Sequence, residues 1–242
     1  MLLLVFQNFA LGLGAHLTQN TSSSLSLMTQ IPFIVIAMQW VVLLVGKNTS
    51  YPEFQKHRML FGLLIICILL AAMIGRGPIQ SMLVNTRNLT AFFMAYEIAL
   101  YNISSETEFY KFEKFCFTLG LIVLLAGIVI LIGGYNLYEA IGIKEVYSAK
   151  GSPMLGNKLD DRFTTSLINR DYNRMGSLFY EPVNLAYFFS ALTISSFFSK
   201  WTERKSRKII WFCLMALGLL LSLGKGGYLL TIAAFGYVIL QK

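Results

Sequence analysis

Charged side chains are scarce in this chain. Only 13% of its 242 residues are Asp, Glu, Lys or Arg, and 56% are apolar. Soluble domains usually carry about a quarter charged residues, so the composition argues against an ordinary soluble domain. It predicts an all-α fold, a polytopic integral membrane helix bundle that has the lipid bilayer as its solvent.

Cysteine and histidine are also rare. The three cysteines, Cys67, Cys116 and Cys213, each lie inside an apolar run, where a thiol behaves as a small hydrophobe. Their placement indicates neither a disulfide framework nor a metal site, so we predict no metal and no cofactor. The net charge of +8 comes mainly from residues between apolar runs. We therefore expect these cations to orient the chain in a bilayer and predict no nucleic-acid partner.

Seven apolar segments approach the roughly 20 residues that a spanning helix needs. The last of them has SLGKGG at 222 to 227, where glycines allow a reversal and a lysine at mid-bilayer is costly. Divided there, the sequence predicts about eight transmembrane helices. The seven segments lie at about 2 to 17, 31 to 46, 59 to 75, 82 to 100, 114 to 133, 183 to 199 and 209 to 240.

Two basic loops predict the orientation. Residues 200 to 208 hold five basic side chains, and residues 46 to 58 hold three plus His57, so both loops should be cytoplasmic. An even number of crossings must then separate them, which requires 82 to 100 to span despite Arg87 and Glu97; an interfacial helix is the alternative. The resulting map is a multi-pass membrane protein with a cytoplasmic N-terminus.

The map divides the chain into three regions. Residues 1 to 133 form N-terminal membrane helices, 134 to 182 form one long external loop, and 183 to 242 form further membrane helices. Long loops in compact proteins are usually functional or disordered. The tyrosines, phenylalanines and mixed charges of 134 to 182 argue against disorder, so we predict an ordered loop.

Candidate binding residues stand at two helix starts. The first motif segment, RMGSLFYEPVN at 174 to 184, precedes an apolar run, and Pro182 suits a first helical turn. The second motif segment, SLGKGG at 222 to 227, places Lys225 at the start of the last helix. Backbone N–H groups and positive dipole ends at these starts, with Arg174 and Lys225 beside them, would attract a phosphate or pyrophosphate. Nearby glycines would permit close backbone approach: Gly176, Gly226 and Gly227.

Each residue also has a structural interpretation. Arg174 could anchor the chain at the membrane interface, Lys225 could extend its ammonium toward water, and Glu181 could cap a helix. The order of the features is more informative than any one of them. An Arg-x-Gly…Glu-Pro-x-Asn segment opens one helix, a basic turn and another apolar helix follow, and Gly-Lys-Gly-Gly opens the next.

This order resembles the polytopic enzymes of bacterial surface polysaccharide, the Wzy-type repeat-unit polymerases and the O-antigen ligases. The resemblance covers about residues 170 to 240. The residues that match the family's first motif are Arg174, Gly176, Glu181, Pro182 and Asn184. At the second motif the family commonly has Ser-Arg-Gly, where this chain has Gly-Lys-Gly at 224 to 226. Lysine keeps the charge and loses the bidentate fork of arginine.

The resemblance implies glycosyl transfer on the external face of the bacterial plasma membrane. An undecaprenyl-pyrophosphate-linked oligosaccharide would donate its reducing-end sugar to another lipid-linked unit in capsular, exopolysaccharide or O-antigen synthesis. Arg174 would be the first pyrophosphate ligand and Lys225 the second, with Arg76 and Arg87 as further candidates, and Glu181 could polarise the acceptor hydroxyl. Other polysaccharide assembly proteins would be partners. The choice between polymerase and ligase, the sugars and the oligomeric state stay open.

The sequence departs from this family downstream of the second motif. Members of the family are usually longer and carry a second large external loop that contributes a catalytic histidine or acid. His16 and His57 lie far from the motif segments, so an incomplete, C-terminally truncated member is expected. The alternative function is a permease or an accessory subunit of a polysaccharide or lipid export complex, with Arg87 and Glu97 as a pathway pair.

Overall fold

The computed structural model describes residues 2–18, 30–46, 58–63, 65–67, 70, 79–103, 105–149, 163–167, 170–199 and 205–240. The chain forms two compact units, one made of Met1–Thr29 with Thr107–Lys242 and the other of Gln30–Glu106. We call them the large unit and the small unit. Arg76, a predicted ligand, lies outside the described residues.

Helices make up most of the described chain, as predicted. In chain order they are α1 (Leu2–Thr18), α2 (Ile31–Gly46), α3 (Ile79–Asn102), α4 (Glu106–Ala140), α5 (Ile143–Ala149), α6 (Pro182–Phe198), α7 (Lys205–Ser222) and α8 (Lys225–Leu240), with further helical residues at 58–63 and 65–67. Two short strands, β1 (Thr164–Leu167) and β2 (Arg170–Asn173), precede a 3-10 turn at Ser177–Phe179.

The prediction of about eight transmembrane helices is wrong. Within the part of the chain that the structure describes, α4 is the one helix long and apolar enough to cross a membrane. Helices α1, α2, α6 and α8 have 16 or 17 residues, short of the roughly 20 that a span needs. Helix α7 opens on three cations, and α3 carries Arg87 and Glu97. The assignment of loops to the cytoplasmic or the external face depended on counting these membrane crossings, so that assignment loses its basis.

The small unit pairs α2 with α3 and gives the polar residues of α3 partners. Glu97 is buried; its carboxylate accepts a hydrogen bond of 2.7 Å from Trp40 Nε1 and lies 3.5 Å from Arg58 Nε. Arg87 donates to the side chain of Gln30. These contacts hold the charges of α3 within the unit, which explains how a helix with two charged residues packs there.

Helix α4 has two different faces. One is buried in the large unit, with Phe117, Val123 and Leu124 almost fully covered. The other carries an apolar stripe whose spacing of three and four residues keeps it on one side of a helix: Ile122, Leu125, Val129 and Ile132, which are 46% to 82% exposed. At Gly134 the backbone leaves helical geometry, with φ 60°, where the predicted apolar run ends.

Helices α6, α7 and α8 pack together beside α4. Close packing requires glycine at two crossings: a Cβ at Gly120 of α4 would lie 2.5 Å from Leu192, and one at Gly218 of α7 would lie 2.5 Å from the Phe189 ring. One set of the apolar residues of α6 that suggested a span therefore belongs to the core of the protein: Leu185, Ala186, Phe189 and Leu192.

The same interface buries one acid. Glu113 of α4 accepts hydrogen bonds from the hydroxyls of Ser195 and Ser199, at 2.9 and 2.6 Å. A buried carboxylate requires such donors, and these tie the start of α4 to the end of α6.

The described part of the region 134 to 182 contains both helical and strand elements, and its location on the external face stays a prediction. Helix α4 continues to Ala140, α5 follows, and β1 and β2 form an antiparallel hairpin in which Thr164 pairs with Asn173 and Leu167 with Arg170. The hairpin leads directly into the first motif segment.

Candidate functional site

An aromatic cluster holds the first motif segment in place. The Tyr138 ring packs against two others, with its centroid 5.0 Å from that of Phe163 and 6.2 Å from that of Tyr180. The Tyr147 hydroxyl donates to the Tyr180 carbonyl at 2.6 Å, and the Tyr180 hydroxyl donates to the Ile141 carbonyl at 2.6 Å. Burial raises the pKa of the Tyr180 phenol well above its ordinary value, so it stays a neutral donor. The loop is thus fixed by aromatic residues from the preceding region.

Contacts with α4 and α1 complete this support. The Ser177 hydroxyl donates to the Val123 carbonyl at 2.6 Å, and a Cβ at Gly127 would lie 2.5 Å from Met175. The Asn8 side chain donates to the Phe179 carbonyl at 2.5 Å. The motif segment therefore lies beside the apolar part of α4, the candidate spanning helix.

The two motif segments touch each other. Arg174 Nε lies 3.3 Å from the carbonyl oxygen of Ser222, 48 residues later in the chain. The next residue, Met175, donates its backbone N–H to the Leu221 carbonyl at 3.0 Å. Both contacts satisfy carbonyl groups in the last turn of α7, which lack helical partners. The end of α7 is thereby joined to the start of the first motif segment.

The helix starts also lie side by side. Helix α6 begins at Pro182, as predicted, and α8 begins at Lys225 after a break at residues 223 and 224. A Cβ at Gly224 would lie 3.6 Å from the Pro182 carbonyl oxygen and 2.2 Å from Ala186 Cβ. The start of α8 therefore lies against the first two turns of α6.

Left-handed backbone at non-glycine residues occurs in these two segments. Among the described residues, three non-glycine residues have positive φ: Ser177, Tyr180 and Leu223, at 48°, 54° and 48°. Such conformations cost on the order of 1 to 3 kcal/mol each and are concentrated at functional sites. Two of them lie in the first motif segment and one in the second. Hydrogen bonds of the surrounding residues stabilise these positive-φ conformations.

Cations flank the junction between the two segments. Arg174 is half-buried, and Lys225 is exposed. Burial lowers the pKa of the Arg174 guanidinium from its ordinary value, and the nearby phenol of Tyr228 opposes that change; arginine remains charged in proteins. Lys225 and Tyr228 are three residues apart on α8, so they share one side of that helix. The junction carries positive charge and a phenol.

Glu181 does not cap α6 with its side chain. It occupies the N-cap position without a side-chain cap hydrogen bond. Its carboxylate accepts a hydrogen bond of 2.7 Å from the Asn184 side chain, and Asn184 is exposed. Glu181 and Asn184 thus form a polar pair at the mouth of α6, beside the start of α8.

The glycines of the two segments make close contacts within the protein. Gly176 is buried, and its N–H donates to the Tyr138 hydroxyl at 2.9 Å. A Cβ at Gly226 would lie 2.4 Å from the Tyr187 hydroxyl, and one at Gly227 would lie 2.7 Å from the Ala186 carbonyl oxygen. Their observed role is therefore to let the loop and α6 pack closely.

One further candidate is described in the small unit. Arg87 belongs to the small unit, where it contacts Gln30. In the described residues no group of three or more His, Cys, Asp or Glu side chains could hold a metal ion. The site is therefore built from Arg174, Lys225, Glu181 and Asn184.

Two residues near the junction were missed by the sequence analysis. Tyr228 interacts with the Arg174 charge and donates its hydroxyl to the Leu220 carbonyl at 2.9 Å. Ser222 supplies the carbonyl that Arg174 contacts. The helical spacing between Lys225 and Tyr228 was a usable signal, whereas the contact with Ser222 depends on tertiary structure.

Comparison of the chain with family models, curated proteins and solved structures found no match.

Proposed function

We propose that the junction of the two motif segments binds the pyrophosphate of a polyprenyl-linked oligosaccharide. The observation that carries the proposal is the contact between Arg174 and the last turn of α7, which brings two cationic segments of distant sequence into one place. Pyrophosphate carries spread negative charge, and cations with helix N-termini are suited to it. The same features gave the resemblance to surface-polysaccharide polymerases and ligases.

We propose that the lipid part of such a substrate contacts apolar surface on α4. The first motif segment lies against Val123 and Gly127 on the buried face of α4, and the apolar stripe that begins at Ile122 lies on the exposed face of the same helix. A long polyprenyl chain would lie along that exposed stripe and reach around α4, so that its head group meets the cations. We place this function in the bacterial plasma membrane, with α4 as the membrane contact.

The proposed reaction is glycosyl transfer between lipid-linked oligosaccharides. The oxygen of an acceptor hydroxyl forms a bond to C1 of the donor's reducing-end sugar, and the bond from C1 to the pyrophosphate oxygen breaks. Polyprenyl pyrophosphate leaves with the bonding electron pair, stabilised by Arg174 and Lys225. The acceptor proton passes to a base, for which Glu181 is the candidate within the site.

Lys225 provides a first test of this proposal. Lys225→Ala should weaken binding of farnesyl pyrophosphate about tenfold, because a charge-assisted hydrogen bond contributes roughly 1.5 kcal/mol or more. Lys225→Arg should bind at least as well as the parent, since the guanidinium keeps the charge and adds a second donor. Binding is measured by calorimetry on the full chain in detergent, with farnesol as the uncharged comparison.

Lys111→Ala is the matched control, because Lys111 is an exposed lysine of α4 outside the motif segments. It should bind farnesyl pyrophosphate as the parent does. Equal binding by the parent, Lys225→Ala and Lys111→Ala would show that Lys225 is not a ligand. Tight binding of farnesol would show that the prenyl chain alone is recognised.

A further inference from the structure

An open groove with a volume of about 420 Å³ lies between the end of α6 and the start of α7. Its apolar lining comes from Phe197, Ile209 and Phe212, and its polar lining comes from Lys205 and Lys208. The second motif segment follows the other end of α7, whose 18 residues span roughly 26 Å at 1.5 Å per residue. The groove is therefore separate from the proposed pyrophosphate site.

The walls of the groove are preformed by aromatic packing. The Phe197 ring lies 6.0 Å from Phe212 and 5.0 Å from Phe235 of α8, both edge-on. Edge-to-face contacts of this kind stabilise aromatic clusters. Three helices thus fix the apolar wall, while Phe197 itself remains 49% exposed.

The polar lining is cationic. Lys205 and Lys208 lie one helical turn apart, so their ammonium groups share one side of α7. They belong to the segment 200 to 208, which contains five basic residues and one acid. Basic clusters next to apolar surface attract anionic lipid head groups.

We propose that this groove binds an anionic phospholipid. One acyl chain lies against Phe197, Ile209 and Phe212, and the phosphate contacts Lys205 and Lys208. A peptide would bring backbone N–H and carbonyl groups into a groove whose polar side chains are lysines, which can only donate, so its buried N–H groups would lose hydrogen bonds. An acyl chain has no such groups, and a phosphate accepts from both lysines.

The charge test compares two adjacent residues. Lys208 lines the groove, whereas Arg207 is exposed and does not. Lys208→Gln should lower the affinity for phosphatidylglycerol about fivefold, the effect of one basic residue near a charged lipid surface. Arg207→Gln should change it less than about twofold. Native mass spectrometry of the full chain in detergent, with equimolar phosphatidylglycerol and phosphatidylcholine, measures both.

The apolar test uses a second adjacent pair. Ile209 and Ile210 are 53% and 57% exposed, and Ile209 alone of the two lines the groove. Ile209→Asn should weaken binding of phosphatidylglycerol several-fold, and Ile210→Asn should leave it close to the parent value. Both substitutions lie at exposed positions, so folding should be retained; thermal unfolding checks this.

Three results would overturn the proposal. The parent could show no preference for phosphatidylglycerol over phosphatidylcholine. Lys208→Gln and Arg207→Gln could lose affinity equally, which would indicate attraction by surface charge without a groove. Alternatively, Ile209→Asn could lower the molar mass in light scattering and leave lipid binding unchanged, in which case a second copy of the chain occupies the groove.

Discussion

Replacing Arg174 with lysine is expected to weaken binding of farnesyl pyrophosphate by roughly ten- to a hundredfold. A guanidinium can hold two phosphate oxygens with its planar fork, and an ammonium cannot reproduce that geometry. Hydrogen bonds to charged groups contribute about 1.5 to 3 kcal/mol, which corresponds to that range of affinity. Calorimetric titration of the full chain in detergent measures the change.

The same variant separates a ligand from a helix cap. Arg174 also contacts the Ser222 carbonyl at the end of α7, and a lysine near a helix C-terminus can make a comparable contact. Thermal unfolding should therefore change little in Arg174→Lys. The control is Arg207→Lys, because Arg207 is an exposed arginine of α7, the helix whose last turn Arg174 contacts. This control should alter neither property. Parent-like binding by Arg174→Lys would assign Arg174 a capping role alone.

Gly227→Ala is expected to destabilise the fold by about 1 to 3 kcal/mol, the usual cost of overpacking. The added methyl group would lie 2.7 Å from the Ala186 carbonyl oxygen. That neighbour is backbone, so relief requires α6 and α8 to move apart. Because Lys225 begins α8, the same movement should also weaken farnesyl pyrophosphate binding.

The matched control for this prediction lies in the same helix. A Cβ at Gly236 would meet nothing within 4 Å. Gly236→Ala should therefore stabilise α8 by roughly 0.5 to 1 kcal/mol, since alanine is the better helix former. Thermal unfolding in detergent should give opposite shifts for the two variants. Equal stability of Gly227→Ala and Gly236→Ala would contradict the close packing of α6 against α8.

Much of the helical pattern could be predicted because local signals determine it. Pro182 starts α6, and α7 and α8 separate within SLGKGG, as predicted. The left-handed residue of that break is Leu223, whereas Gly226 and Gly227 lie inside α8. The number of membrane spans could not be predicted in the same way. Apolar runs of 16 or 17 residues occur both in short spans and in buried helices, and composition does not separate the two. Leu185 and Phe189 of α6 are fully buried by protein.

The candidate site was predictable only in part. The motif segments supplied Arg174 and Lys225, and helical spacing could have added Tyr228. The contact between Arg174 and Ser222 spans 48 residues, and the aromatic support from Tyr138 and Phe163 depends on how a hairpin folds back onto α4. Local patterns carry no information about such distant contacts. The positive φ of Ser177 could not be predicted from the sequence either, because serine rarely adopts a positive φ.

A double-mutant cycle on Arg174 and Lys225 tests the central claim most directly. Farnesyl pyrophosphate affinity is measured for the parent, Arg174→Lys, Lys225→Ala and the double variant under one set of conditions. If both cations hold one pyrophosphate, each single variant should bind more weakly, and the two losses should be non-additive by about 0.5 kcal/mol or more. Equal affinity in all four proteins, or losses that add without coupling, would contradict a single site at the junction of the two motif segments.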